Sequence, residues 1–182
     1  MSPGARAQRP ELLERIDRIA PVGCVGEVVR HIAPGYLPLS GEGARIHGGR
    51  WNPPDSFPTL YTALTRETML DELERAARRQ GLTVADLLPR IEVRYGVGLQ
   101  RVLDLRDPEA LASVGLKPGD IAADDWTACQ AVGEAAHHAG FEGILAPSAA
   151  EGDVLVVFLD QVARGSTLDV RSAKPLSPGS PS

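Results

Sequence analysis

Residues 41–54 read G-E-G-A-R-I-H-G-G-R-W-N-P-P, and the short apolar segment T-L-Y-T-A-L follows at 59–64. The first stretch is rich in glycine and proline and predicts a loop, whereas the second predicts a strand, and a helical pattern comes after it. These three successive elements carry Arg50, Tyr61 and Glu72. The spacing therefore predicts a loop–strand–helix unit that brings an arginine, a tyrosine and a glutamate to one candidate site.

Each of these three residue types has a use at a site that holds a charged ligand bearing a ring. Arginine grips phosphate with two parallel hydrogen bonds, tyrosine offers a ring face with a polar tip, and glutamate can stabilise a developing cation. Structural roles are as common: an arginine stacked on Trp51 or Tyr61, a core tyrosine, and a glutamate at the border of an apolar helix face. On these residues alone both interpretations stay open.

Glu72 is the acid on the predicted helix 65–80 that surface pairing explains least. Asp71 has Arg75 four residues on and is predicted to pair with it, whereas Glu72 has only Ala76 in that position. At about 100° per residue, Glu72 falls at the margin of the apolar stripe rather than opposite it. The pattern favours a glutamate that faces a site, although a border glutamate reaching water is the plain alternative.

Weaker candidates lie elsewhere in the chain. Arg30 and Arg45 could add positive charge to the site. Ser148 follows an apolar strand, where its hydroxyl either bonds a ligand or caps the turn. Trp126 and Gln130 lie four residues apart on one predicted helix, so they either reach a pocket or pack together.

The composition limits the classes of function that this chain can have. The chain has 182 residues and 19.3 kDa, which predicts one domain with its own core. A net charge of −5 and a pI near 5.4 argue against broad nucleic-acid binding. Two distant cysteines indicate a reducing compartment, and the four histidines show no zinc spacing, so no metal site is predicted. No apolar run reaches the length of a membrane span, and the N-terminus lacks a signal-peptide core, so we expect a cytoplasmic protein.

The order of elements predicts an α+β fold. We expect flexible ends at 1–10 and 171–182, where proline, glycine and serine are common, and one folded domain at 11–170. The pattern is not a clean βαβ alternation, so a mostly antiparallel or split sheet with peripheral helices fits it. The predicted elements are a helix at 11–19, a strand at 25–32, a long loop at 33–58, a strand at 60–64, a helix at 65–80, a hairpin of 91–97 with 101–105, a helix ending at 140, and strands at 143–147 and 154–159.

Four segments together resemble the RES-domain family, whose members are toxins of RES–Xre toxin–antitoxin modules. They are G-G-R-W-N-P-P at 48–54, L-Y-T-A-L-T-R-E-T-M-L-D-E at 60–72, D-D-W-x-x-C-Q-A-V-G at 124–133 and G-I-L-A-P-S at 143–148. The long first motif is the specific one, and the likeness extends from about residue 14 to residue 158. It is similar above all to the NAD-phosphorylase toxins of that family from actinobacteria.

The resemblance implies a fold and a set of site residues. The family's fold resembles ADP-ribosyltransferases and diphtheria-toxin-like enzymes, with a split β-sheet core that clasps NAD+. By resemblance Arg50, Tyr61 and Glu72 are the central active-site residues, Arg30 is a second arginine of the pocket, and Ser148 is the family serine. We also place His31, Arg45, Trp51 and Gln130 in the substrate-binding set, with His31 standing where a relative has an aromatic residue.

The resemblance also implies a reaction and a partner. We expect cleavage of the nicotinamide–ribose bond of NAD+, with NAD+ as substrate, inorganic phosphate as co-substrate and no cofactor. Water as acceptor would make the protein a glycohydrolase, and a protein acceptor would make it an ADP-ribosyltransferase. A nucleotide-binding module without turnover is the non-enzymatic alternative. The expected partner is an Xre-like antitoxin that covers the active site in a higher-order toxin–antitoxin oligomer, with no nucleic acid or membrane bound directly.

Overall fold

Over residues 3–177, which are those the structure describes, the computed structural model contains six α-helices and six strands. This confirms the predicted α+β class. None of the helices within that range is both long enough and apolar enough to cross a membrane. The helices are α1 Pro3–Asp17, α2 Glu42–His47, α3 Arg66–Arg79, α4 Pro108–Ser113, α5 Pro118–Ala122 and α6 Thr127–His138, and the strands are β1 Val22–Ile32, β2 Thr59–Ala63, β3 Ile91–Asp104, β4 Gly143–Pro147, β5 Asp153–Phe158 and β6 Thr167–Pro175.

The strands form one sheet that closes on itself. Their order is β1-β2-β5-β4-β3-β6, and β1 also pairs with β3. Strands β1 to β5 therefore make a barrel-like ring, and β6 is an additional strand that pairs with β3. Every pairing is antiparallel except that of β3 with β4. The mostly antiparallel sheet with helices around it is therefore confirmed.

The predicted hairpin at 91–105 is wrong, because β3 runs through that region without a turn. Gly98 lies opposite Val25 on β1 and Thr167 on β6. A Cβ atom at Gly98 would lie 2.7 Å from the hydroxyl oxygen of Thr167. The glycine is thus explained by the close approach of the neighbouring strand rather than by a turn.

Both predicted flexible ends contain regular structure. Helix α1 begins at Pro3, and its Ile16 is fully buried in the main core cluster. Strand β6 continues to Pro175 along β3, and Leu176 belongs to the same buried apolar cluster as Met69 and Leu73. The side chains of β6 are largely exposed, so the strand lacks the alternation that would reveal it in the sequence. Residues 1–2 and 178–182 lie outside the described residues.

Local signals around the site elements are confirmed. The Thr65 hydroxyl caps α3 by accepting a hydrogen bond from the Thr68 amide at 3.1 Å. Gly81 follows α3 with a φ of 70°, as expected of a residue that ends a helix in the left-handed region. The loop predicted at 33–58 is interrupted by the short helix α2, which the sequence pattern did not indicate.

Helix α3 is fixed over the strands that flank the site. A small apolar cluster joins Met69 and Leu73 of α3 to Val29 of β1 and Ala63 of β2. The larger clusters lie on the two faces of the sheet. Because the apolar face of α3 is packed in this way, its margin is directed at the loop and at the end of β1.

Candidate active site

A cleft of about 530 Å³ opens where the glycine-rich loop, β1, β2 and α3 meet. Its lining includes Arg50, Tyr61 and Glu72, so the loop–strand–helix unit does bring the three residues together. A volume of this size falls within the range of about 300–1,000 Å³ found for small-molecule sites. The cleft is therefore large enough to hold a nucleotide-sized ligand.

The hydroxyl group of Tyr61 holds the loop in place. It accepts a hydrogen bond from the Trp51 amide at 2.8 Å and donates one to Asn52 Oδ1 at 2.7 Å. The fully buried Asn52 then donates from Nδ2 to the Ala44 carbonyl at 2.7 Å. Burial raises the pKa of Tyr61 well above its usual value, so the hydroxyl stays protonated. The polar tip of Tyr61 is thus used by the protein, and its ring is what remains for a ligand.

Two glycines allow the loop to approach its neighbours, Tyr61 of β2 and helix α6, closely. A Cβ atom at Gly49 would lie 2.4 Å from the Tyr61 hydroxyl, and one at Gly133 of α6 would lie 1.8 Å from the Trp51 carbonyl oxygen. Trp51, which we predicted to bind substrate, borders the cleft but is only 1% exposed, and it packs in the core. Its indole is therefore a core side chain at the border of the cleft.

Two further residues predicted to bind substrate make other contacts in the structure, one to the loop and one at the surface. Gln130 donates from Nε2 to the Gly49 carbonyl at 2.9 Å and is not part of the cleft lining. Arg45 is also outside the lining, because its guanidinium pairs with Glu42 on the same short helix at 2.9 Å. Only the neighbours of Arg45 in that helix reach the cleft, so the predicted substrate contact of Arg45 is not supported.

Glu72 is held through one of its two carboxylate oxygens. Oε1 accepts hydrogen bonds from the Ser148 hydroxyl and from the Ala149 amide, the latter at 3.1 Å. The Ser148 hydroxyl in turn accepts from the Ala150 amide at 2.9 Å. Within residues 3–177 no donor reaches Oε2. Ser148 therefore both caps the turn after β4 and orients Glu72, and the free oxygen of Glu72 remains for the cleft.

Arg50 combines a structural contact with a place in the lining. Its Nη1 donates to the Ala123 carbonyl at 3.0 Å and to the Asp120 carbonyl at 3.3 Å. Its guanidinium carbon lies 5.5 Å from the ring centroid of Trp126. The stacking predicted as the structural alternative is thus present, but with Trp126 in place of Trp51 or Tyr61.

The wall formed by β1 carries Arg30 and His31. Both line the cleft, and both contain a buried nitrogen, Nη1 of Arg30 and Nδ1 of His31, that has no partner among the described residues. Burial lowers the pKa of His31 to about 4, and the positive charges of Arg90 and Arg30 act in the same direction. His31 is therefore neutral at pH 7 and brings a hydrogen-bonding group without a charge.

Two arginines that line the cleft were not among the predicted site residues. Arg75 was assigned to a pair with Asp71, but in the described structure it donates from Nη2 to the Ala122 carbonyl at 2.8 Å. Arg79 lies with its guanidinium carbon 5.4 Å from the centroid of Trp126. Both line the cleft together with Glu72. Their spacing of three and seven residues from Glu72 places all three on one helix face, which was the signal available in the sequence.

The cleft is electropositive although the chain is acidic. The charged residues of its lining are four arginines and one glutamate, so the cleft has three excess positive charges in a chain of net charge −5. Buried polar atoms are normally paired in folded proteins, so unpaired ones at a cleft indicate positions that a ligand satisfies. The site is therefore suited to an anionic ligand with several hydrogen-bonding groups.

Known proteins match this chain over all the elements that build the cleft. The RES domain matches residues 27–176, a range that includes every residue lining the cleft and extends beyond the predicted domain end at 170. The NAD(+) phosphorylase MbcT of Mycobacterium bovis (strain ATCC BAA-935 / AF2122/97) is 37% identical over 169 residues, covering 92% of this chain and 91% of that protein. The NAD(+) phosphorylase MbcT of Mycobacterium tuberculosis (strain ATCC 25618 / H37Rv) gives the same values.

A solved structure agrees with the match in three dimensions. A chain in the crystal structure of the M. tuberculosis MbcT–MbcA toxin–antitoxin complex has a TM-score of 0.83 with this protein. It is 38% identical, and the match covers 92% of both chains. The similarity thus spans the helices and strands that build the cleft.

Proposed function

This chain belongs to the RES-domain family, and from that premise we propose that it is a toxin that degrades NAD+. The proposed activity is that of an NAD+ phosphorylase, which yields nicotinamide and ADP-ribose-1″-phosphate. The observation that carries the proposal is a single carboxylate, Glu72, fixed by Ser148 and Ala149 at a cleft lined with arginines. The relatives named NAD(+) phosphorylase, which match nearly the whole chain, support it.

Glu72 is assigned to the bond that breaks. When the nicotinamide–ribose bond opens, nicotinamide takes the electron pair and leaves neutral, so it needs no general acid. The ribose carbon then develops positive charge, as in glycoside hydrolysis. In the proposed reaction, Oε2 of Glu72 stabilises that charge or accepts a hydrogen bond from a ribose hydroxyl. Electrostatic stabilisation of this kind contributes about 3 kcal/mol at comparable sites.

The acceptor in the proposed reaction is hydrogenphosphate. One of its unprotonated oxygens forms the new bond to the ribose carbon, and its own proton remains on the phosphate, so no separate base is required. The excess positive charge of the cleft favours the entry of this dianion beside a substrate that already carries a diphosphate. NAD+ is the substrate and phosphate the co-substrate, and the reaction requires no further cofactor.

The test is a product analysis with purified protein. NAD+ is incubated with and without inorganic phosphate, and nicotinamide and the ribosyl product are followed by mass. Release that depends on phosphate, with ADP-ribose-1″-phosphate as product, supports the phosphorylase. Free ADP-ribose made without phosphate would identify a glycohydrolase instead. Labelled ADP-ribose left on a protein would identify a transferase, and no release in any tube would favour a binding module.

We also propose a fold relationship and a protein partner for this chain. We infer that the barrel-like sheet corresponds to the β-sheet core of ADP-ribosyltransferase-like enzymes, with the cleft as its NAD+ site. We further infer that an Xre-like antitoxin covers the cleft in the cytoplasm and assembles with the toxin into a larger oligomer. The solved complex of the mycobacterial relative with its antitoxin supports the existence of such a partner. Expression in bacteria with and without the candidate antitoxin, read by cellular NAD+ and by the mass of the complex, tests both.

A further inference from the structure

Helix α3 presents more than Glu72 to the cleft. Arg75 and Arg79 line it as well, on the next turns of the same helix face. Because an α-helix rises about 1.5 Å per residue, Arg79 is rooted about 10 Å along the axis from Glu72, and Arg75 about half that distance. One helix face thus combines a carboxylate with two cations placed at increasing distance from it.

The segment opposite these arginines fixes their positions. Arg75 donates to the Ala122 carbonyl at 2.8 Å, while Arg50 reaches the next carbonyl, that of Ala123, from the loop side. The ring centroid of Trp126 lies 5.5 Å from the guanidinium carbon of Arg50 and 5.4 Å from that of Arg79. Such stacked and carbonyl-bonded arginines lose less freedom when they bind a ligand than free ones do.

Three observations indicate that this surface receives a ligand. The buried Nε1 of Trp126 has no partner among the described residues. Arg79 pairs with Asp124 at 3.2 Å, but their side chains are 40% and 74% exposed, and ion pairs that open to water contribute little. The cleft as a whole has an excess of positive charge that its own carboxylate does not balance.

We infer that Arg75, Arg79 and Trp126 form a phosphate-binding surface of the cleft. The inference rests on the proposed function and adds the direction in which the substrate lies. The phosphate belongs either to the diphosphate of the nucleotide or to the inorganic co-substrate. With the ribose carbon at Glu72, a diphosphate extends along α3 past Arg75 to Arg79, and the adenosine end reaches Trp126. An acceptor phosphate must lie nearer to Glu72, at the level of Arg75.

Arg79→Gln and Arg75→Gln test the surface, with Arg78→Gln as the matched control. Arg78 is on the same helix, is exposed, pairs with Glu74 and does not line the cleft. ADP-ribose and inorganic phosphate are titrated against each protein, and binding is read by tryptophan fluorescence. Trp126→Phe identifies the signal of Trp126 against that of the buried Trp51. The KM values for NAD+ and for phosphate are then measured separately.

Loss of a charge-assisted contact predicts that a phosphate-bearing ligand binds about tenfold or more weakly. If Arg79→Gln weakens ADP-ribose and raises KM for NAD+ alone, the surface holds the nucleotide diphosphate. If a variant raises KM for phosphate alone, the surface holds the acceptor. Either result supports the inference, whereas values equal to those of Arg78→Gln for both ligands overturn it.

The design separates this inference from the proposed function. ADP-ribose binding is measured without turnover, so it tests the surface even if the wild-type protein releases no nicotinamide. Conversely, phosphate-dependent turnover in the wild type with unchanged variants would retain the phosphorylase and reject the surface. Thermal unfolding of each variant shows that it is folded, and since Arg79 is exposed, Arg79→Gln decides the question if Arg75→Gln does not fold.

Discussion

The loop at the cleft and the walls around it differ in how far their polar atoms are hydrogen-bonded within the protein. At the loop, both ends of the Asn52 amide have hydrogen-bond partners, and so do the two groups that hold the loop from outside it, the Tyr61 hydroxyl on β2 and Nε2 of Gln130 on α6. In the walls, buried nitrogens of Arg30, His31 and Trp126 have none among the described residues. Satisfied groups fix a scaffold, whereas unsatisfied ones keep their capacity for a ligand.

Glu72 combines the two patterns: its Oε1 accepts hydrogen bonds, as the groups of the loop do, whereas its Oε2 has no donor among residues 3–177, like the nitrogens of the walls. For the polar groups of Tyr61 and Gln130, this contrast favours the structural alternative over contact with substrate. Tyr61 and Gln130 belong to the scaffold by their hydrogen bonds. The largest effects on chemistry should therefore come from the free groups, and the largest effects on stability from the satisfied ones.

Glu72→Gln should cause the largest change. The variant keeps the shape of the side chain but removes the charge that we propose stabilises the ribosyl cation, so kcat for NAD+ cleavage should fall about a hundredfold or more, or about 3 kcal/mol. Glu74→Gln on the same helix is the matched control, because Glu74 pairs with exposed Arg78. Nicotinamide release and thermal unfolding measure the two effects. Full activity in folded Glu72→Gln would remove Glu72 from the chemistry.

Tyr61→Phe should affect stability more than catalysis. The change leaves the Trp51 amide and Asn52 Oδ1 without their partner, which should lower the free energy of unfolding by about 2 kcal/mol. Activity at temperatures where the protein is folded should stay within a few-fold of wild type. Urea unfolding gives the first value, with Tyr36→Phe as control because Tyr36 is 67% exposed. A hundredfold loss of activity at unchanged stability would instead place the hydroxyl in the reaction.

Ser148→Ala should give a smaller, purely positional effect. Glu72 keeps the hydrogen bond from the Ala149 amide but loses the one from the Ser148 hydroxyl, so kcat should fall about fivefold, or about 1 kcal/mol. The KM for NAD+ should change little, and so should the unfolding temperature, because the Ala150 amide that loses the Ser148 hydroxyl is exposed to water. Ser113→Ala, which removes an exposed hydroxyl on α4, is the control. A loss as large as that of Glu72→Gln would assign Ser148 a direct part in the chemistry.

The smallest expected effect is a pH dependence that originates at His31. Its pKa is lowered to about 4 by burial and by the charges of Arg90 and Arg30, whereas in the unfolded chain it is about 6.5. The unfolded state therefore binds the extra proton first. The stability due to neutral His31 is complete above pH 6.5 and is lost as the pH falls towards 4.

His31→Gln should remove that part of the pH dependence, which we expect to be on the order of 1 kcal/mol. Unfolding in urea at pH 7.5, 5.5 and 4.5 measures it. His138→Gln, at an exposed position near the end of α6, should keep the wild-type profile. Identical profiles for wild type and His31→Gln would contradict the burial of a neutral imidazole.

Much of the fold was accessible from the sequence. The strand at 143–147 has the predicted bounds, the cap at Thr65 holds α3, and the meeting of Arg50, Tyr61 and Glu72 follows from three adjacent elements. Each of these signals depends on residues a few positions apart. Side-chain periodicity, capping and turn chemistry are local interactions, so they are visible in a short window.

Other features depend on contacts between distant parts of the chain. The hairpin expected around Gly98 is a single strand because β6, some seventy residues further on, lies against it. Most side chains of strand β6 are exposed, and the strand pairs with β3 through backbone hydrogen bonds, which leave no pattern in the sequence. The ion pair expected for Arg75 was replaced by a bond to Ala122, which helical spacing does not reveal.

The sequence by itself determined the α+β class, the family and the three residues around which the site is built. Tertiary structure alone decided what each side chain does there: that the Tyr61 hydroxyl ties the loop, that Arg45 pairs with Glu42, and that two more arginines reach the cleft. The physical reason is that residue type limits the hydrogen bonds a group can make, whereas the packing of distant elements determines which of those bonds are already made within the protein.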